Sequence, residues 1–190
     1  HVPAGGLVAY YPFNGDVDAV DSSPNGNHGV ANGTTPAPDL HGNANNALHF
    51  DGTDSIYTPY TVVLGKHTYS AWIKTSGTQR VGIVGSDDSG GNNGSILLEP
   101  TGNMTAEVWM GSVLKKRYTS ASTINDGQWH FVSYTCDPAS NSLRLFIDGV
   151  DQNVTTVVDA DIAGFSMNEE IRIGIDGNET LAMRFVGDID

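Results

Sequence analysis

The sequence predicts an all-β protein of the sandwich or barrel kind, on three observations. Short runs of β-branched and aromatic residues recur along the 190 residues, each bounded by a Gly/Asn/Asp/Ser cluster. No window carries apolar residues at the i, i+3, i+4, i+7 spacing of an amphipathic helix. Glycine is frequent, at 23 residues, and serves the turns.

The runs follow in order. LVAYYPF covers Leu7 to Phe13, NALHF ends at Phe50, and SIYT starts at Ser55. TYSAWIK, Thr68 to Lys74, alternates, with Tyr69, Ala71 and Ile73 on one face and Ser70 and Trp72 on the other. RVGIVG starts at Arg80, SILLE at Ser95, MTAEVWM at Met104 and VLKKRYTS at Val113. QWHFVSYTC, from Gln128, is apolar on both faces and reads as a central strand, with Trp129 filling the gap between two sheets. SLRLFID, Ser142 to Asp148, sets Leu143, Leu145 and Ile147 on one face. A pairing segment near Val154 to Val158, then EIRIGI (Glu170 to Ile175) and RFVGDI (Arg184 to Ile189), complete about a dozen strands. Asp148-Gly149 is a strong hairpin signal and Gly111-Ser112 a weaker one. Thr34 to Asp39 reads as a proline-bearing loop, and Ser86 to Ser95 as a flexible turn. With no composition break, repeat or linker, residues 1–190 read as one domain, and the abrupt limits at His1 and Asp190 suggest that it belongs to a larger protein.

Net charge is −13, from 22 acids and 9 bases. A phosphate backbone or an anionic membrane surface would be repelled. Lys115-Lys116-Arg117 is the one basic cluster, and it reads as an edge-strand guard against aggregation, with an acidic-glycan patch as the alternative. No run reaches the ~18 apolar residues of a membrane span. The single cysteine, Cys136, excludes an intrachain disulfide and reads as a buried small hydrophobe. His28, His41, His49, His67 and His130 lack zinc spacing. Glu169 and Glu170 are adjacent, Glu99 and Glu107 isolated, so the carboxylate pair of a glycanase is not legible. The sequons at Asn32, Asn93, Asn103, Asn153 and Asn178 carry no weight in so Asn-rich a chain.

Four segments, in order, resemble the bacterial laminin-G-like jelly-roll family of the concanavalin-A-like lectin/glucanase superfamily. The first is GGLVAYYPFNG (Gly5 to Gly15) with the Asp-, Asn- and Gly-rich loop Asp21 to Gly29 that follows it. The others are HGNANNALHFDGTDSIY (His41 to Tyr57), TYSAWIK, and NDGQWHFVSYTCDPASNSLRLFIDGV (Asn125 to Val150), closed by IRIGID and FVGDID. The resemblance implies a two-sheet antiparallel jelly-roll sandwich. It also implies a calcium site where the Asp21 to Gly29 loop meets the closing segment, with Asp21, Asn27, Asp188 and Asp190 as ligands and Asp16 and Asp18 as weaker candidates. Family members usually continue past the FVGDID-like segment, which bears on any site at that end.

Lectin-like sandwiches bind sugars through aromatic faces flanked by polar donors. By residue type the candidates are Tyr60, Trp109, Arg117 and Tyr118, each also readable as a core or sheet-face residue. The expected function is an extracellular carbohydrate-binding or adhesion module, secreted or on a cell surface, without enzymatic activity. Its partner would be a glycan or a cell-surface protein, with neither nucleic acid nor membrane insertion. A protein-binding spacer and a polysaccharide hydrolase or lyase are the alternatives.

Overall fold

The computed structural model describes residues 6–15, 19–58, 62–87, 91–152, 155–176 and 183–190. Two antiparallel sheets form a jelly-roll sandwich. The first is eight-stranded, in the order β1 (Val30–Asn32), β4 (Ser55–Tyr57), β16 (Arg172–Ile173), β7 (Val81–Asp87), β8 (Asn93–Leu98), β9 (Asn103–Met110), β10 (Val113–Thr123), β14 (Thr155–Asp159). The second is seven-stranded, in the order β13 (Val150–Asp151), β12 (Ser142–Ile147), β11 (Trp129–Asp137), β6 (His67–Lys74), β17 (Val186–Ile189), β3 (Ala47–Asp51), β2 (Thr35–Ala37). A small ribbon pairs β15 (Met167–Glu169) with β5 (Val62–Leu64).

Alternation decides what each strand buries. From the first sheet Ile96, Leu98, Met104, Ala106 and Val108 enter the core, and from the second Leu48, Phe50, Tyr69, Ile73, Val132, Tyr134, Leu143 and Leu145. Cys136 is 1% exposed among them, and burial pushes its thiol up to about 11, so it packs as a hydrophobe. Both foreseen hairpins are present. Asp148 and Gly149 have φ of 51° and 76°, and Gly111 and Ser112 have 57° and 63°, the left-handed pairs of a type I′ turn.

Four expectations are corrected. Leu7 to Phe13 form no strand; the segment is tied instead to the loop that follows it, through Tyr10 and Tyr11. Thr35–Ala37, expected as loop, is an edge strand on β3, a position that tolerates Pro36. Trp129 does not fill the intersheet gap. It shares parity with Phe131 and Ser133, opposite the inward Val132 and Tyr134, and Lys74 Nζ lies 6.0 Å from its ring on the outer face. Finally, Lys115 to Arg117 guard no edge, because β14 pairs along β10 there; Lys116 turns inward, 1% exposed, and meets the Asp159 carboxylate. The tip of the expected flexible turn, residues 88–90, lies outside the described residues.

Candidate functional site

The cross-strand register builds a row of side chains on the outer face of the eight-stranded sheet. Tyr57 pairs with Arg172, Arg172 with Gly85, Gly85 with Ser95, Ser95 with Glu107, and Glu107 with Arg117. Their strand neighbours Ile56, Ile173, Ile96, Ala106 and Val108 are core, so the row faces away from it. Gly85 and Ser95 give the row a low floor, and a Cβ added to Gly85 would lie 2.8 Å from the Ser95 Cβ.

At one end of the row lies a pocket of about 300 Å³, lined by Asn32, Ser55, Ile56, Tyr57, Glu170, Arg172, Ile175 and Arg184. Such a volume is at the lower end for small-molecule sites. Tyr57 is 37% exposed and stands opposite Arg172 across the sheet. One wall is the bridged pair Ile175 and Arg184. This wall lies close to the sheet because Gly82 has no side chain: an added Cβ would overlap the backbone of Ile175 and Asp176. The Arg184 guanidinium is held by the Thr53 carbonyl and, at 3.3 Å, by the Ser55 hydroxyl.

Further along the row is an ionic cluster. The Glu107 side chain is 4% exposed, and its Oε1 accepts from Arg80 Nη2 at 2.5 Å and Arg117 Nε at 2.6 Å. Its Oε2 accepts from the Trp109 indole at 2.9 Å, and Arg80 reaches on to Glu99 at 2.5 Å. Burial alone would raise the Glu107 carboxyl, but hydrogen bonds from Trp109, Arg117 and Arg80 hold it below its usual range.

The sugar-binding candidates therefore divide. Trp109 and Arg117 come together, but around Glu107, which fixes both. Tyr118 pairs with Ala106 and so lies on the opposite, core-facing side, where its hydroxyl donates to Asp159 at 2.9 Å. Tyr60 lies outside the described residues. The pocket residues Tyr57, Arg172 and Arg184 were missed. The signal available was the alternation of EIRIGI, which turns Arg172 outward between buried Ile171 and Ile173.

Among the described residues, the expected calcium ligands Asp21, Asp188 and Asp190 do not form one cluster. Asp21 Oδ1 accepts from the Tyr10 and Ser23 amides (2.8 and 2.7 Å), and Oδ2 from the Ser23 hydroxyl and the Asn27 amide (2.7 Å each). A carboxylate has about four lone-pair positions, so Asp21 is saturated by N–H and O–H donors. Although burial works the other way, these bonds hold its carboxyl below the usual range. The Asn27 side chain donates to the Val8 carbonyl at 2.8 Å, and the Asn27 backbone carbonyl accepts from the Tyr11 hydroxyl at 2.7 Å. Asp188 is paired with His49 at 2.7 Å and Lys74 at 3.4 Å. Asp190 is pushed up to about 6 by burial and by Asp39. Among the described residues no three His, Cys, Asp or Glu side chains converge to hold a metal. Asp16 and Asp18 lie outside the described residues. Asp21 organises the loop by an Asx turn.

Fold and surface define a lectin-like β-sandwich with a small pocket on one sheet face. Residues 50–190 match a laminin-G-type family model of the concanavalin A-like lectin/glucanases superfamily, and the chain belongs to that superfamily. No curated protein matches it by sequence. Among solved structures it is similar to domain 4 of AbnA, a GH43 extracellular arabinanase from Geobacillus stearothermophilus, in complex with arabinotriose. The identity is 21% and the TM-score 0.68, over 97% of this chain and 89% of that one. It is also similar to domains LG4–5 of the mouse laminin α1 chain (15%, TM-score 0.57), covering 81% of this chain but only 43% of that one. A third similar structure is the CBM40 of the Ruminococcus gnavus IT-sialidase bound to α2,3-sialyllactose (13%, TM-score 0.53, 75% and 85% covered). Among the described residues no helix is long and apolar enough to cross a membrane.

Proposed function

We propose that the chain is a carbohydrate-binding module of a secreted or cell-surface protein, taking a glycan in the pocket at Tyr57. The observation that carries this reading is the exposed Tyr57 ring beside Arg172 in a concavity of about 300 Å³. An aromatic face suits the C–H surface of a pyranose, while Asn32, Ser55 and the guanidiniums supply the few fixed polar contacts that orient a ligand. Two of the similar structures hold oligosaccharides, arabinotriose and sialyllactose, which supports the class of ligand.

The module is read as non-catalytic. Glycoside hydrolysis needs two carboxyls about 5–9.5 Å apart across the scissile bond. Among the described residues the pocket lining carries one, Glu170. Screening the protein on a broad glycan array tests the reading. Retention by a set of related glycans is the expected result, and an array without hits contradicts it.

A second reading, protein adhesion, is favoured by the outer face of the seven-stranded sheet. There the half-buried Trp72 and Phe131 rings stand 5.3 Å apart, next to Trp129 with Lys74 over its ring. A partner protein whose binding is lost in Trp129→Ala but kept in Tyr57→Ala would favour it.

A further inference from the structure

The arginines of this acidic chain are unevenly placed. Of Arg80, Arg117, Arg144, Arg172 and Arg184, all but Arg144 lie on the outer side of the eight-stranded sheet. Arg80 and Arg117 are both committed to Glu107, with Glu99 as a further partner of Arg80. Arg172 and Arg184 line the pocket, where Glu170 is the only carboxylate among the described lining residues. The described lining thus holds two guanidiniums to one carboxylate, in a protein whose net charge is −13.

Building on the carbohydrate-binding reading, we propose that the pocket selects sugars that bear a carboxylate. A guanidinium is a planar fork whose N–H groups match a carboxylate's two oxygens, and it stays charged at every working pH. The Arg184 guanidinium is already oriented by the Thr53 carbonyl and the Ser55 hydroxyl, so little side-chain freedom remains to be lost when a ligand arrives. Arg172 is held on a paired strand directly opposite Tyr57 and lines the same pocket. The carboxylate of a sugar seated on Tyr57 then meets guanidinium at the pocket wall. Glu170 sets the limit: its charge opposes the same ligand, so it tunes the affinity downward.

The shared chemistry covers uronic acids and nonulosonic acids, and the test separates them. Affinity electrophoresis would be run through gels containing polygalacturonate, colominic acid, and each polymer after reduction of its carboxyls to alcohols. Retention by one acidic polymer and at least tenfold weaker retention by its reduced form is the expected result, the two polymers distinguishing the sources. Arg172→Gln should weaken that retention by tenfold or more, and Glu170→Gln should strengthen it about threefold. Raising the salt from 50 to 500 mM should weaken it further, because exposed charge pairs are screened. Melting curves confirm that each variant is folded, and Glu170→Gln, a gain of binding, cannot be produced by misfolding. Equal retention by acidic and reduced polymers, lost in Tyr57→Ala, would overturn the acidic-sugar inference and leave the glycan-binding reading standing. Retention by none of these polymers, together with an empty glycan array, would overturn both.

Discussion

Tyr57 and Arg172 stand opposite each other on β4 and β16, with their side chains on the sheet face that points away from the core. The pair exists because Ile56 and Ile173, each one residue away, are drawn inward. An exposed aromatic anchor in a pocket typically supplies a large share of binding energy. Tyr57→Ala should therefore cost about 2 kcal/mol of glycan affinity, roughly 30-fold in Kd. Being 37% exposed, the residue should leave the melting temperature nearly unchanged. Calorimetric titration beside a thermal melt checks both halves.

Glu107 is the ionic hub of the same face. Removing one partner of a buried charge cluster costs about 3–5 kcal/mol. Arg80 and Arg117 keep 31% and 27% side-chain exposure, so they can be partly rehydrated and the cost of Glu107→Ala should fall at the low end of that range. The Glu107 carboxyl titrates below its unfolded value in the folded state, so its contribution is present above the unfolded pKa and is lost as pH falls through the folded one. The stability difference between wild type and Glu107→Gln should accordingly be flat at neutral pH and shrink toward acid. A difference that persists undiminished at pH ~2.5, well below the ordinary glutamate value, would argue that packing, not charge, is what Glu107 contributes.

His67 gives the opposite kind of titration. Its Nδ1–H donates to the Gly65 carbonyl at 2.9 Å, which makes Nε2 the acceptor for the Tyr134 hydroxyl at 2.8 Å. Burial lowers its pKa, and the Gly65 carbonyl only partly offsets this. The unfolded chain therefore binds more protons than the native one below the ordinary histidine value. Stability should rise with pH up to about 6.5 and then level. Urea melts of wild type and His67→Gln between about pH 4.5 and 8, a range that brackets the ordinary histidine value, check this; the rising slope should be reduced in the variant.

Asp21 ties the loop at Ser22 to Gly29 to itself and to Tyr10 by four hydrogen bonds. Hydrogen bonds to a charged acceptor contribute about 1.5–3 kcal/mol each, and neighbours partly compensate when one is lost. Asp21→Ala should cost at least about 2 kcal/mol, or about 4–8 °C for a domain of this size. The same loss should appear in excess chelator. A destabilisation seen only when calcium is present would restore the metal role expected from the family resemblance.

Much of the fold was legible because sheets write their geometry in period two. The inward Tyr69, Ala71 and Ile73, the inward Leu143, Leu145 and Ile147, and both glycine-bearing hairpin turns lie where alternation and turn chemistry put them. Trp129 failed for want of one fact: its parity relative to Val132 is readable, but which parity faces inward follows from the whole strand's burial, not from the size of one aromatic. Lys116 failed because only the partner β14, distant in sequence, makes β10 an interior strand. The pocket was illegible for the same reason. Asn32, Tyr57, Arg172 and Arg184 are far apart in the chain and meet only through the strand order β1-β4-β16 and the wall that Gly82 admits.

The central claim is that the glycan site lies on the eight-stranded sheet at Tyr57. The most direct measurement is isothermal titration of the strongest array hit into wild type, Tyr57→Ala and Trp129→Ala, the last altering the opposite face of the sandwich. Binding that weakens roughly 30-fold in Tyr57→Ala and is unchanged in Trp129→Ala is the result expected. Binding that survives Tyr57→Ala and is lost in Trp129→Ala would place the site on the other sheet and contradict the account.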